Sequence, residues 1–288
     1  MAAPTRKYDI IVWGASGFTG SRLAEYLVLN APAGTRVAIG GRNWSKIEQV
    51  RAALAAKHPD AAISARDLDI VIGDSLSASR MHEVAAMTRV IASTAGPYAL
   101  YGEQLIRACV DEKTDYCDIT AEVPWIRDMH RELSDKAVQN NVHITPMCGF
   151  DCIPADLGCL MLAQYARQEL NAPLLHVKGS IVGFCGGVSG GTLATMANQI
   201  SIEVRRFWRR NFARISSSAV AQEHGPRTNG KESNRWVIHY DQTLQRWQSF
   251  WIMSMVNAMT ASWAGRILNY GPAFSYAESI STRSLPEA

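Results

Sequence analysis

A chain of 288 residues with 29 Lys and Arg against 26 Asp and Glu carries a formal net charge of only +3, too little to imply a nucleic-acid partner. Its 47% apolar and 19% charged residues describe a globular chain long enough to bury one large core or two ordinary ones. The 6 cysteines lack regular spacing and no His or second Cys pair completes a set with Cys148 and Cys152, so neither a disulfide framework nor a metal site is expected. The first residues lack the apolar core of a signal peptide and no apolar run reaches spanning length, so the expected location is cytoplasmic.

Near the start, the apolar run Asp9 to Trp13 ends in Gly14-Ala15-Ser16-Gly17-Phe18-Thr19-Gly20, three glycines spaced three apart. A helical pattern follows at once, with Leu23, Tyr26 and Leu27 as its apolar face. Strand, glycine turn and helix in this order form a phosphate-binding corner. Gly14 permits the turn, Gly17 lets the backbone approach a pyrophosphate, and Gly20 lets helix and strand pack closely. The free amides at the helix start favour an anion there.

Strand-like and helical segments then alternate. The strand candidates are Ile10–Trp13, Val37–Ile39, Ile70–Ile72, Val90–Ala92, Tyr116–Ile119 and Val142–Thr145. Helical patterns occupy Ser21–Leu29, Lys46–Lys57, Ser79–Met87, Glu103–Glu112 and Trp125–Gln139. Six strands joined by five crossovers predict an α/β fold, a doubly wound Rossmann domain over residues 1–146. Residues 147–288 then form a second α/β domain for substrate or dimerisation.

After the second strand, Gly41-Arg42-Asn43 and Lys46 stand where an acidic residue would hold the ribose of NAD. A guanidinium there suits the 2′-phosphate of NADP instead, so NADP is the expected cofactor; a solvated loop arginine is the competing reading. Asp74, after the third strand, suits an adenine amino group or a helix cap equally well. Ala95, Gly96 and Pro97 follow the fourth strand, where small residues would let the nicotinamide ribose lie against the backbone, with Tyr98 over the cleft or as an aromatic plug. The fifth strand brings Asp118, Thr120 and Glu122 to one edge, for proton transfer or for capping the next loop. No Tyr-x-x-x-Lys pair occurs, which argues against short-chain dehydrogenase chemistry.

The sixth strand opens into Cys148-Gly149-Phe150-Asp151-Cys152. Together with the glycine turn, Gly41-Arg42, Thr94 to Tyr98, and Tyr116 to Thr120, this segment resembles the saccharopine dehydrogenase-like oxidoreductases, in particular the branch with the trans-acting enoyl reductases of glycolipid synthesis. The resemblance implies an NADP-type Rossmann domain followed by a mixed α/β domain that closes over the nicotinamide. It also implies association with membranes or lipid droplets and a small-molecule or lipid substrate. Asp151-Cys152-Ile153-Pro154 departs from the Asp-Pro-Gly of true saccharopine-forming enzymes, which directs expectation away from lysine metabolism. Family members generally run on further, so a shortened second domain is expected. Tyr98, Asp118, Cys148 and Asp151 are the candidate catalytic side chains, with buried structural cysteines the competing reading for the thiols.

In the second half, Ala155 to Tyr165 reads as a helix with Leu157, Leu160 and Met161 on its apolar face. His176 to Phe184 reads as a strand. Gly186 to Thr192 is a second glycine turn leading a helix to about Phe212. Arg205 to Arg210 is a cluster of cations with aromatics for an anionic membrane or a solvated face. Ser216 to Asn234 reads as a loop. Phe250 to Ala264 reads as a core, dimer or interfacial helix, which makes a homodimer one expected assembly.

Overall fold

The computed structural model describes residues 6–61, 63–183, 190 and 238–283, which divide into two compact units, the first running through Cys148 and the second opening at Gly149. In the first unit, β1 (Tyr8–Trp13), β2 (Val37–Gly41), β3 (Asp69–Ile72), β4 (Thr88–Ser93), β5 (Asp115–Asp118) and β6 (Ile144–Thr145) form one parallel sheet in the order β3-β2-β1-β4-β5-β6. The crossovers are α1 (Phe18–Asn30), α2 (Trp44–Lys57), α3 (Ala78–Ala86), α4 (Tyr98–Tyr101) with α5 (Glu103–Asp111), and α6 (Val123–Asn140). This is the doubly wound dinucleotide-binding topology, with its switch point between β1 and β4.

Alternation along the buried strands sends successive side chains to opposite faces. Ile11 and Trp13 pack with Met81, Leu105, Tyr116 and Trp125 on the face of α3, α5 and α6. Val12 packs with Ala24, Val28, Ile39, Ile47 and Leu54 on the face of α1 and α2. Of the expected α1 face, Leu23 and Leu27 pack partly buried against this core and Tyr26 is exposed; the fully buried residues are Gly20, Ala24 and Val28. A helix that leaves a strand through a tight turn begins so close to the sheet that Gly20 and Ala24 sit at its most buried face.

The corner between β1 and α1 is closely packed. Gly14 has φ +89, a left-handed conformation that L side chains rarely adopt. A Cβ on Gly20 would lie 2.3 Å from the Gly14 oxygen and 2.6 Å from the Thr94 hydroxyl. That hydroxyl donates to the Trp13 and Gly14 carbonyls at 3.2 and 3.3 Å, closing the end of β4 onto the end of β1. At Gly17, by contrast, a Cβ would meet only the Gly14 oxygen, at 3.3 Å.

The second unit holds a mixed sheet in the order β7-β10-β9-β8, from β7 (His176–Ile181), β8 (His239–Asp241), β9 (Arg246–Phe250) and β10 (Ser275–Thr282). β10 runs parallel to β7 and antiparallel to β9. Among the described residues, this unit also has two helices, α7 (Ile153–Glu169) and α8 (Ser254–Ile267). Pro154 sits in the first turn of α7, where a missing N–H costs nothing. The buried face of α7 is Cys159, Ala163 and Ala166 rather than the expected Leu157 and Met161, which are exposed. Small residues let α7 approach Ala258 and Ala261 of α8. The expected helix from Phe250 starts instead at Ser254, because Phe250 ends β9, paired with Ser279 of β10. The expected turn Gly186 to Thr192, the Arg205 to Arg210 cluster and the loop Ser216 to Asn234 lie outside the described residues, Gly190 excepted.

The packing at the β1–α1 corner predicts an asymmetry between glycines. Gly20→Ala should destabilise the chain by about 1–3 kcal/mol, the usual cost of forcing an extra carbon into a filled site. Urea unfolding measures it, and an unchanged midpoint would refute the packing account.

Candidate functional site

α1 starts at Phe18 with Gly17 as its N-cap, no side-chain cap bond and no acidic residue in its first turn. The first amides of such a helix have no intrahelical partner. Ser16, Gly17, Phe18 and Thr19 are exposed and Ala15 and Gly20 buried, so the turn offers bare backbone outward on a fixed base. Gly14 therefore makes the turn and Gly20 the packing, while Gly17 is exposed and has only the Gly14 oxygen within reach of a Cβ.

At the end of β2, a Cβ on Gly40 would lie 2.7 Å from the Trp13 ring, and Gly41 has φ +154. The chain then presents Arg42, Asn43 and Lys46, all exposed. Asn43 is the N-cap of α2, its Oδ1 accepting from the Lys46 amide at 3.0 Å. The Arg42 guanidinium lies over the Tyr101 ring, 5.7 Å from its centroid, which directs a cation toward the switch point. Ser16 and Lys46 also line one groove of about 470 Å³ with Arg22, Glu25 and Lys57. Asp74 caps its own turn, Oδ1 accepting from the Leu76 amide at 3.0 Å, while the N-cap of α3 is Ser77. Asp74 therefore braces the turn before α3 and is not the cap of that helix, which corrects the capping reading.

Ala95 and Gly96 are partly buried, and Pro97 and Tyr98 fully so. Tyr98 does not hang over a cleft: it is 4% exposed, donates its hydroxyl to the Ser93 carbonyl at 3.0 Å and accepts from the Ile119 amide at 3.4 Å. Burial, with Asp118 nearby, raises its phenol well above the usual range. The aromatic-plug reading fits this position, because the ring fills space against Trp125 at 5.9 Å between centroids.

Beyond β5, alternate residues turn inward, and Asp118, Thr120 and Glu122 are all buried. Asp118 accepts from the Thr120 amide at 3.0 Å, the Met147 amide at 3.1 Å and the Tyr116 hydroxyl at 2.8 Å. These bonds make Asp118 a tie between the loops after β5 and β6. Cys148 is half-buried and its thiol donates to the Thr145 carbonyl at 3.2 Å; burial pushes its pKa up, the opposite of an activated nucleophile. In the second unit Asp151 is exposed at the start of α7, and its carbonyl accepts from Asn257 Nδ2 at 2.8 Å. Cys152 is 3% exposed. Among the described residues no group of His, Cys, Asp and Glu could hold a metal ion. Sequence reasoning did not single out Thr94 as the bridge between β1 and β4; its position directly after a strand was the available signal.

Burial pushes the Asp118 carboxyl from 3.8 up to about 6, against the pull of its hydrogen bonds. Folding therefore favours the protonated form: the contribution is complete below about pH 4 and is lost as pH rises through about 6. The gap corresponds to about 3 kcal/mol at most. Asp118→Asn keeps an acceptor for the two amides and should remove this loss. Its stability relative to the unmodified chain should rise by about 1–3 kcal/mol between pH 4 and pH 7 in urea unfolding. Identical pH dependence of the two proteins would refute the assignment.

A family model, the saccharopine dehydrogenase NADP binding domain, matches residues 10–144, the β1 to β6 sheet built above. A Mycobacterium tuberculosis protein provisionally named a trans-acting enoyl reductase is 31% identical over 291 residues, covering 99% of this chain and 67% of that protein. A lipid droplet localized protein of Caenorhabditis elegans is 35% identical over 185 residues, 64% of this chain and 42% of its own length. A saccharopine dehydrogenase-like oxidoreductase of Rattus norvegicus is 33% identical over 183 residues, 62% of this chain and 42% of its own. The match thus takes in less than half of either animal protein. The chain belongs to the saccharopine dehydrogenase-like oxidoreductase family, and its first unit carries that family's NADP-binding domain.

Proposed function

We propose that the protein is an NADP-dependent oxidoreductase that transfers hydride to or from a hydrophobic, lipid-derived, unsaturated substrate. The observation that carries the cofactor half is Gly17: it is exposed at the start of α1, and a Cβ there would meet only one internal atom, the Gly14 oxygen at 3.3 Å, so the space before it suits a ligand. Gly14 to Gly20 would hold the pyrophosphate at the start of α1. Arg42, with Ser16, Asn43 and Lys46 around it, would take the 2′-phosphate, and Ala95 to Pro97 would back the nicotinamide end. Bound there, the cofactor supplies hydride chemistry, while the chain binds, orients and excludes water. The hydrophobic substrate is supported by the names of two relatives, one an enoyl reductase and one a lipid droplet localized protein. Peripheral contact with a membrane or lipid droplet belongs to the same reading; among the described residues no helix is long and apolar enough to cross a membrane.

One observation favours a second reading, a non-catalytic NADP-binding adaptor at a lipid surface. Tyr98 and Asp118 are both buried and bonded within the fold, which leaves neither free to donate a proton to a substrate. NADPH oxidation with a panel of enoyl thioesters and imines separates the two, since the adaptor turns over none.

Gly17→Val should still fold, with the Gly14 carbonyl yielding slightly, and lose NADPH binding, because the added side chain fills the space the ligand needs. Undiminished binding by the folded variant would sink the site. Arg42→Ala should lose a charge-assisted contact of about 1.5–3 kcal/mol, or roughly one to two decades of affinity for NADPH and little for NADH. Equal affinity of the unmodified chain for both cofactors would already exclude that role.

A further inference from the structure

We propose that Glu122 is the positioning residue for the nicotinamide end of the cofactor site, acting through the Gly96-Pro97-Tyr98 turn. The inference rests on the cofactor reading above. With the 2′-phosphate reader at the end of β2 and the anion corner at β1, the remainder of a dinucleotide must continue past β1 toward β4. The segment it meets is Thr94 to Tyr98, the loop that follows β4.

That loop is held from a distance. Glu122 is 1% exposed, and its two carboxylate oxygens accept from the Tyr98 amide at 2.7 Å and the Ala99 amide at 3.0 Å. Those are the opening amides of α4, whose N-cap Pro97 contributes no side-chain cap. A carboxylate taken this far from water is tolerated only where donors meet it, so the charge and the turn fix one another.

Glu122 is fixed in turn. Its amide donates to the Thr120 hydroxyl at 3.0 Å, the Thr120 amide donates to Asp118 at 3.0 Å, and Asp118 also takes the Met147 amide at 3.1 Å. The loop after β4 is thereby registered to the loops after β5 and β6 through a continuous buried polar chain. None of these bonds touches the glycine corner or Arg42 directly; α4 meets Arg42 through the stacking of its guanidinium over the Tyr101 ring, 5.7 Å from the centroid. Loosening Glu122 should consequently disturb the nicotinamide end of the cofactor site far more than the adenine end, which a purely structural residue would not do.

The experiment titrates Glu122→Ala and Glu122→Gln with 2′,5′-ADP, the adenine half alone, by calorimetry, and with NADPH by calorimetry and nicotinamide fluorescence. For the alanine variant, 2′,5′-ADP affinity should stay within twofold of the unmodified chain. NADPH affinity should fall tenfold or more, with loss of the fluorescence change that accompanies binding. Glutamine keeps one acceptor and sets an amide N–H against the other donor, so it should fall between. If the alanine variant does not fold, the glutamine variant carries the same comparison. Equal weakening of both ligands, or NADPH binding as tight as before, overturns the assignment, as does failure of both variants to fold. An unmodified chain that does not bind 2′,5′-ADP defeats the cofactor reading itself, and this inference with it.

Discussion

The structure of the first unit depends on the contact between the end of β1 and the end of β4. Two parallel strands adjacent in the sheet but separated by some 80 residues must finish within bonding distance, and the Thr94 hydroxyl makes the join by reaching the Trp13 and Gly14 carbonyls. Nothing larger than hydrogen fits at Gly20 beneath that join. The same contact that closes the sheet therefore fixes where α1 begins, and the start of α1 is where an anion would be held.

Around that join, polar and apolar burial take separate shares of the work. Trp13 spreads across the end of β2, where a Cβ on Gly40 would meet its ring at 2.7 Å; at Gly73, a Cβ would meet Arg80 Cγ at 2.8 Å before the Trp13 ring at 3.2 Å. Its indole N–H reaches the Ser75 hydroxyl at 3.0 Å, so the one polar atom of a large apolar residue is satisfied at the rim. On the other side of β1, the loops after β4, β5 and β6 are held by Tyr98, Asp118, Thr120 and Glu122. Hydrogen bonds set direction in a way that apolar packing does not, and a ligand wall needs direction. The cost is two buried carboxylates, offset by the amides and hydroxyls aimed at them.

The second unit is built on another economy. Asn257 Nδ2 donates to the Asp151 carbonyl and to Glu278, so one buried amide ties α8 to the start of α7 and to β10. Cys159, Ala163, Ala258 and Ala261 bring the two helices close, and Tyr270 and Phe274 close the end of that core edge to face at 5.2 Å. Leu160 of α7 packs against the same core, while Leu157, Met161, Leu162 and Tyr165 of that helix are exposed.

The sequence alone determined the order of the first unit. Period-two apolar runs between period-3.6 segments, punctuated by glycines three apart, leave few topologies, and right-handed crossovers reduce them to the observed sheet. The roles of Gly14 and Gly20, the placement of Arg42 at the end of β2 and the motifs shared with a known family were legible for the same reason: they are local in the chain. The buried faces of α1 and α7 were legible only in part: Leu23, Leu27 and Leu160 do pack inward, but close helix packing puts small residues at the most buried positions, which periodicity weighs least. The fates of Tyr98 and Asp118 were not legible. Whether a polar side chain at a strand end faces solvent or the protein depends on partners far along the chain, here Ser93 and Ile119 for the one and Met147 for the other. The β8–β9 hairpin and β10 escaped notice because short half-buried strands carry little periodicity, and only their pairing made them visible. Local chemistry named the elements and the anion corner; tertiary packing decided which polar groups were spent on the fold.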